Sequence, residues 1–487
     1  MAGNITGVRA THEDYDEYAP VWEKMSDVIE GGTRELHEER EKYLPRYNEE
    51  DDDNYDARLK RTPTCGFSFR TAIGCRGLLL RKPAVVKTPP SVTPMLDDVT
   101  LSGMPMPIFI GEICEEILTT GRVGVWVNFP DATAAGTLAD AAVLNLRPSL
   151  HKLEAESVTN WATRRVNNET KLSLVVMKEE FCTPSPDGFT TEEQDRFRVL
   201  DLIDVPNALG GVDTVYRVRV MMYDKEANLD VTLNEFIPIM QGKPISYIPF
   251  YFISPDCVGP DVDAPPFEDL VQLELTHYEL TSSMLNGCYW SGLPQVFVSG
   301  YTPESGQKLT RSPASAWCFP TVGTKVALVE VGVAGFSALE KELDRLEKQM
   351  VLIGSRSLEL QAAGGNEAMS TAQLHLSAEH SVLAGIGQSI SSGLTAALKT
   401  FVAWTGNEIG DTKCVLSKDF FTESLTPQAR DSIVKSWQAK AISDEAKFSM
   451  LKAGGDFEPD TTFEDEQSKP NTAPVKAAAP QPNTQGA

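Results

Sequence analysis

The chain has 487 residues, with 44 Lys and Arg against 69 Asp and Glu, which gives a formal net charge of −25. This length allows a sizeable buried core and suggests two to four domains. The acidic balance argues against a sequence-specific DNA-binding protein, because Lys and Arg neutralise phosphates in such proteins. No secretory signal pattern and no long apolar run is present, so we expect neither secretion nor a membrane span.

The first 260 residues combine helical and strand patterns. Charged or apolar periodicity predicts helices over residues 21–43, interrupted at Gly31-Gly32, and over residues 55–80 and 109–120. β-Branched and aromatic runs predict strands at 123–129, 172–177, 197–203, 215–223 and 248–253. The acidic run 49–53 suits a solvated loop better than a cation site, because a metal loop places its ligands at defined turn positions. We therefore expect a mixed α+β body.

Two long helices around a β-rich insert are the most informative pattern. The first, over residues 266–286, follows a Pro-Pro pair, and the second, over residues 337–361, opens with the capping box Ser337-Ala-Leu-Glu340. Apolar residues of the second helix recur at steps of four and three, which predicts one buried seam: Leu339, Leu343, Leu346, Met350 and Ile353. Strands are expected between the helices at 295–299, 316–319 and 325–331.

Charge is distributed unevenly over these helices. Residues 244–307 contain no Lys or Arg, although 44 basic residues in 487 would place about six there. Lys341, Arg345 and Lys348 project about 180° from the apolar seam. Two interpretations stay open: i,i+3 and i,i+4 pairs with Glu342 and Asp344, or contact with phosphates.

After residue 361 the helical pattern breaks at Gly364, Gly365 and Asn366. A second capping box at Ser370 opens a helix that extends to about Trp404, with interior glycines that indicate close backbone packing. Its apolar stripe is expected at Leu383, Ile386, Ile390, Leu394, Ala397 and Phe401. Thr426-Pro427 begins a further helix. From residue 457 onward the acidic and then Pro/Ala-rich composition predicts disorder.

No catalytic or cofactor motif emerges. The Gly242-Lys243 pair lacks the upstream glycine of a phosphate loop. His375 and His380 would point about 140° apart on a helix, which disfavours joint metal ligation. The eight cysteines show no zinc spacing and indicate reduced, mostly buried thiols of a cytoplasmic protein. We expect no catalytic, cofactor or metal site, and no enzyme; an acidic cytoplasmic hydrolase using Glu268 or His380 is the weaker alternative.

The order of parts resembles the portal proteins of tailed bacteriophages, in particular one compact portal family. Similar local segments, spread over residues 15–405, are Glu41-Lys-Tyr-Leu-Pro-Arg46, Asn54-Tyr-Asp-Ala-Arg58, Leu78-Leu-Leu-Arg-Lys-Pro83, Gly121-Arg-Val-Gly-Val-Trp-Val127, Thr276-His-Tyr-Glu-Leu280, Ser291-Gly-Leu-Pro294 and Ser381-Val-Leu-Ala384. Cys65-Gly66 departs from the family, where a small polar pair including Asn is expected. The resemblance implies an α+β portal fold with the following parts: 1–262 and 371–420 wing, 263–292 and 335–361 stem helices, 293–334 clip, 362–370 tunnel loop, 421–455 crown, and 456–487 disordered tail.

The resemblance also implies a function and its residues. Such proteins form rings, here expected to have 12 copies, at one capsid vertex, through which double-stranded DNA is packaged and ejected. Expected partners are the terminase motor, a head-tail adaptor, the major capsid protein and a scaffolding protein, in the virion and, during assembly, the host cytoplasm. Channel-facing candidates are Lys341, Arg345, Lys348, Glu268, Glu274 and Glu279; clip docking candidates are Lys308 and Arg311. Another virion component, an adaptor or tail subunit, is the alternative.

Overall fold

The chain folds as an α+β protein in the computed structural model. Its described residues are 7–130, 145–166, 168–185, 189, 191–206, 211–224, 228–292, 295–299, 325–329, 335–356, 369–417, 427–453 and 463. The chain divides into two compact units, Met1–Lys418 and Asp419–Ala487. None of the described helices combines the length and apolar character needed to cross a bilayer.

The helices of the first unit include three that exceed twenty residues. They are α1 (Glu13–Ser26), α2 (Gly32–Glu38), α3 (Asp52–Arg61), α4 (Phe67–Leu79), α5 (Met106–Thr120), α6 (Glu268–Gly292), α7 (Phe336–Arg356) and α8 (Met369–Trp404). The second unit contains α9 (Pro427–Gln438) and α10 (Asp444–Ala453). Local sequence explains several ends: the Asp51 side chain accepts the backbone N–H of Asn54 at 2.8 Å and caps α3, and Gly121 ends α5 with φ +75°.

The strands of the described residues form five antiparallel sheets. They are β1 (Val85–Lys87), β2 (Val123–Asn128), β3 (Ser149–Glu154), β4 (Val158–Val166), β5 (Glu169–Pro184), β6 (Thr191–Pro206), β7 (Val212–Asp224), β8 (Leu229–Phe236), β9 (Ile239–Met240), β10 (Lys243–Pro244), β11 (Phe250–Ile253), β12 (Gln295–Ser299), β13 (Lys325–Val329) and β14 (Lys413–Val415). The sheet orders are β4-β5-β6-β7-β8, β11-β2-β3, β1-β14, β9-β10 and β12-β13.

Helix α8 supplies much of the core of the first unit. Its predicted apolar stripe is confirmed as buried: Leu383, Ile386, Ile390, Leu394, Ala397 and Phe401. The helix packs on β2 and β11. A Cβ added to Gly393 would lie 2.5 Å from Cγ1 and Cδ1 of Ile253 on β11, which explains the missing side chain there. Gly385 has no such neighbour within 4 Å, so close packing does not explain it.

The N-terminal helices differ from the sequence prediction. The helix expected over residues 21–43 is α1, which already begins at Glu13, followed by a π-helical turn at Asp27–Gly31 and then by α2. The helix expected over residues 55–80 is two helices, α3 and α4, because Gly66 adopts φ +64° between them. Prediction failed here because both segments are amphipathic, so periodicity alone hid the break.

The cysteine prediction holds in part. Cys75, Cys114 and Cys414 are buried, whereas Cys182 and Cys288 are exposed. Burial raises the pKa of the Cys114 and Cys414 thiols to about 12.

Candidate functional site on the helix hairpin

Helices α6 and α7, with strands β12 and β13 between them in the chain, form a structure that we call the helix hairpin. The two strands pair antiparallel, from Gln295 with Val329 to Ser299 with Lys325, as the sequence predicted for 295–299 and for the first part of 325–331. The two helices pack against each other. At 1.5 Å per residue, α6 is about 37 Å long and α7 about 31 Å long.

Two contacts fix how α6 and α7 are aligned. The Nε2 atom of His277 lies 3.5 Å from a carboxylate oxygen of Glu347. Near the other end, a Cβ added to Gly287 would lie 2.4 Å from the ring of Phe336, so the glycine allows that ring to approach the α6 backbone. The helices run antiparallel. A residue of α6 and a residue of α7 therefore lie at the same height along the hairpin when their residue numbers add up to about 623.

The predicted apolar seam of α7 is confirmed at its centre. Leu346 and Met350 are buried, and Leu339 and Leu343 are half-buried. The prediction for Ile353 is wrong, because this side chain remains 39% exposed. Gly354 takes its place in the seam, where an added Cβ would lie 2.7 Å from Oγ1 of Thr71 on α4. The buried positions are spaced by four residues, from Leu346 to Met350 to Gly354, so Ile353 falls beside the buried face.

The prediction that Glu274 faces a channel is wrong. Its side chain is 1% exposed and lies against the start of α4. It accepts hydrogen bonds from the backbone N–H groups of Phe67 (3.2 Å) and Ser68 (2.8 Å) and from the Thr64 hydroxyl (2.7 Å). Burial, followed by the charge of Glu274, raises the pKa of the Cys65 thiol to about 12. Glu274 therefore acts as an external N-cap for α4.

A buried ion pair fastens the middle of α6 to the N-terminal helices. The Arg58 guanidinium on α3 lies 2.7 Å from a carboxylate oxygen of Glu50, and both side chains are less than a tenth exposed. Arg58 also donates to the hydroxyl of Ser282 on α6 at 3.2 Å and to the Pro45 carbonyl at 2.9 Å. Its guanidinium carbon lies 4.1 Å from the Tyr47 ring centroid. The contacts satisfy a charge that would otherwise be costly to bury.

Glu268 and Glu279 lie in different surroundings from Glu274. The Glu268 carboxylate is 3.7 Å from the Lys24 ammonium of α1, so it is engaged within the protomer. Glu279 is exposed, and no ion pair involves it among the described residues. Of the three candidate glutamates, only Glu279 presents an unpaired carboxylate to solvent.

Three basic residues of α7 form an exposed stripe, which we call the outer stripe: Lys341, Arg345 and Lys348. The Arg345 Nε–H donates to both carboxylate oxygens of Glu342 at 3.0 Å, and this hydrogen bonding lowers the pKa of Glu342. That pair supports the i,i+3 interpretation for Arg345. The expected pair of Asp344 with Lys348 does not form, and neither lysine has an ion pair within 4.0 Å in the part of the chain that the structure describes.

Several predicted residues lie outside the described residues. They are the clip candidates Lys308 and Arg311, the tunnel-loop candidates Gly364, Gly365 and Asn366, the strand at 316–319, and the tail at 456–487 apart from residue 463. For His375 and His380, the structure describes only the backbone, which lies in α8.

A cluster of carboxylates on the N-terminal helices contains its own cation. Glu23, Asp27 and Glu39 place oxygens within 4.8 Å of one another. The Lys42 ammonium lies 2.8, 2.9 and 3.5 Å from these three side chains. The lysine thus lies among the three carboxylates, in the position that a metal ion would take.

Sequence reasoning missed the residues that attach the helix hairpin to the body. Arg58 and Ser282 lie 224 positions apart in the chain, and Glu274 and Ser68 lie 206 apart. One signal was available: Glu274 falls on the apolar flank of α6, between Val271 and Tyr278, both of which are buried. A carboxylate inside an apolar stripe indicates a buried acceptor.

Comparisons with known proteins give three findings. One protein family, a domain of unknown function (DUF4055), matches residues 266–405, which include the helix hairpin and α8. No curated protein matches the chain. Among solved structures, a chain from the neck of an empty gene transfer agent particle, computed with C6 symmetry, is 11% identical, with 84% of this chain and 96% of that chain covered and a TM-score of 0.37.

Two further structures from such particles are similar at the same level. A chain from the neck of a native particle with C12 symmetry is 11% identical, with 81% and 92% covered and a TM-score of 0.33. A chain from the virion of a native particle is 10% identical, with 79% and 89% covered and a TM-score of 0.30. TM-scores of this size define neither a common fold nor a common function.

Proposed function

We propose that this protein is the portal subunit of a tailed, phage-like particle. In this proposal the helix hairpin provides the stem, α6 and α7 being its paired helices and the segment 293–334 its clip. The α+β body with α8 is the wing, 362–370 the tunnel loop, 421–455 the crown, and 456–487 the tail. The observation that supports it is the packed antiparallel pair of long helices with a two-stranded ribbon between them.

The charge of the chain suits a passage for DNA. A ring of twelve copies would carry roughly −300, from −25 per chain. Such a surface repels duplex phosphates and prevents tight attachment, so DNA can slide through the ring during packaging and ejection. The protein then needs no catalytic apparatus of its own, and the packaging motor supplies the work.

The proposed position at one capsid vertex determines which proteins this chain would contact. The clip end would contact the terminase motor and later a head-tail adaptor, and the body would contact the major capsid and scaffolding proteins. Each contact is non-enzymatic, so the proposed role is structural: a ring in the virion, assembled in the host cytoplasm.

Electron microscopy of the purified protein tests the proposal. We expect rings with a central hole wide enough for a DNA duplex, and a particle mass that is an integral multiple of 53.3 kDa. Particles labelled with an antibody against this chain should carry it at a single vertex, inside the shell. A strictly monomeric protein, with and without capsid and scaffolding proteins, would overturn the proposal; label on the tail or below the shell would favour an adaptor or tail subunit.

A further inference from the structure

The two lateral edges of the helix hairpin differ in charge. On α7, Lys341 and Lys348 lie about 140–180° from the buried Leu346 and Met350. On α6, Glu279 points about 160° from His277 and about 80° from Gly287, the two residues that meet α7, so it faces away from α7 by about 120° on average. The hairpin therefore carries lysines on an exposed side of α7 and a carboxylate on a side of α6 that is turned away from α7.

Neither arginine of α3 that contacts α6 forms an ion pair with Glu279: Arg58 is paired with Glu50, and Arg61 lies over the ring of Tyr289. Gln272, Thr276 and Ser283 flank Glu279 on this side, and Gln272, Thr276 and Glu279 are exposed. The sequence of α6 contains no Lys or Arg at all. The α7 edge instead presents Lys341 and Lys348, neither of which is in an ion pair among the described residues. The edges are electrostatically complementary to each other, and they belong to different helices of one protomer.

The heights of these charges also match. From the contact of His277 with Glu347 and the approach of Gly287 to Phe336, Glu279 lies level with residues 344–345 of α7. This is midway between Lys341 and Lys348, about 5 Å along the axis from each at 1.5 Å per residue. A rotation about an axis parallel to the hairpin leaves these heights unchanged. The extended side chains of lysine and glutamate span such an offset.

We infer that the outer stripe binds Glu279 of the neighbouring copy, so that the helix hairpins form a head-to-tail ring joined by ion pairs. This inference rests on the proposed function and specifies its partner surface: a second copy of the chain, and not the phosphates of DNA. A ring with rotational symmetry needs two different, complementary edges on each subunit, as the hairpin has. Lysines committed to this junction would no longer attract DNA in the bore.

Charge reversal on each edge gives two variants for the test. The first combines Lys341→Glu with Lys348→Glu, and the second is Glu279→Lys. Alone, each places like charges at every junction, so we expect the ring fraction by analytical ultracentrifugation to fall by on the order of tenfold. Mixed in equal amounts at about 1 M salt, where charges are screened, and then dialysed to low salt, they should form rings again.

The rings that form from the mixture should contain the two variants in a fixed ratio. Every junction in an alternating ring pairs opposite charges, so native mass spectrometry should find equal numbers of the two variants and an even total. A matched control combines Lys60→Glu with Lys399→Glu, two exposed lysines outside the hairpin that change the net charge equally. The control should form rings as the wild type does.

Outcomes separate this inference from the portal proposal. Normal rings from both variants, or loss of rings in the control as well, would overturn the inference and leave the portal proposal standing. Normal rings from the first variant together with failed DNA packaging would instead assign the lysines to phosphate contact. Absence of wild-type rings under all conditions would overturn both.

Discussion

At the scale of single residues, Glu274 shows how α6 is anchored. Its carboxylate receives two backbone N–H groups from the first turn of α4 and one hydroxyl, while it remains buried. The N-terminal end of a helix attracts negative charge, and its first N–H groups lack partners within the helix. One side chain thus joins the proposed stem to the body and completes the start of another helix.

Replacing Glu274 with Ala should destabilise the protein. The change leaves the N–H groups of Phe67 and Ser68 buried without an acceptor, and we expect a loss of about 3 kcal/mol in the free energy of unfolding. Urea denaturation measures it. The control is Glu17→Ala, at an exposed position of α1, which should leave the midpoint unchanged. Equal midpoints for both variants would contradict the role assigned to Glu274.

At the scale of elements, two of the three glycines of α8, Gly385 and Gly393, form a natural comparison. Both are interior helix positions, where Ala has the higher helix propensity. Gly393 faces the buried Ile253, whereas Gly385 is exposed with nothing within 4 Å of an added Cβ. The sequence indicated close packing for the glycines of this helix, but it could not separate one that packs from one that does not.

Alanine substitution separates the two cases. Gly385→Ala should stabilise the protein by about 0.5–1 kcal/mol through propensity alone. Gly393→Ala should destabilise it by about 1–3 kcal/mol, because Cγ1 of Ile253 lies near the fixed end of that side chain and cannot move aside cheaply. Thermal unfolding of both variants at one protein concentration checks the opposite signs. A stabilising Gly393→Ala would show that α8 does not lie this close to β11.

The periodicity of apolar residues correctly predicted those elements whose buried face can be recognised from their own sequence. The stripe of α8 and the central seam of α7 were found because apolar residues recur along one helix, and β12 because its residues are β-branched or aromatic. Strands β3, β4 and β8 were missed: their solvated faces carry many polar residues, and pairing with distant strands sets their extent. The predicted burial along α7 was correct up to Met350. Beyond that residue, Gly354 packs against α4, and the predicted Ile353 does not.

At the scale of the whole molecule, buried carboxylates link stability to pH. Burial, opposed by the neighbouring Lys152, raises the pKa of Glu116 on α5 to about 7 from its ordinary 4.5. Burial also raises the pKa of Glu30 and of Glu156. The folded protein therefore binds these protons more tightly than the unfolded chain does. The stability that Glu116 contributes is fully present below about pH 4.5 and is lost as pH rises through about 7.

Glu116→Gln should remove this part of the pH dependence. The free energy of unfolding of the variant, relative to the wild type, should increase by roughly 3 kcal/mol between pH 5 and pH 8. Urea titrations of both proteins at the two pH values, at fixed protein concentration, provide the measurement. A difference that stays constant with pH would mean that Glu116 is already ionised in the folded protein at pH 5.

The Lys42 ammonium among Glu23, Asp27 and Glu39 has a consequence for where the protein can work. Folds that gather three acids often need calcium or magnesium to hold them together, and a chelator or simple dilution then unfolds them. Here the counter-charge is covalently part of the chain and cannot be withdrawn. The junction of the first two helices should therefore stay intact whether the surrounding medium is rich or poor in divalent ions.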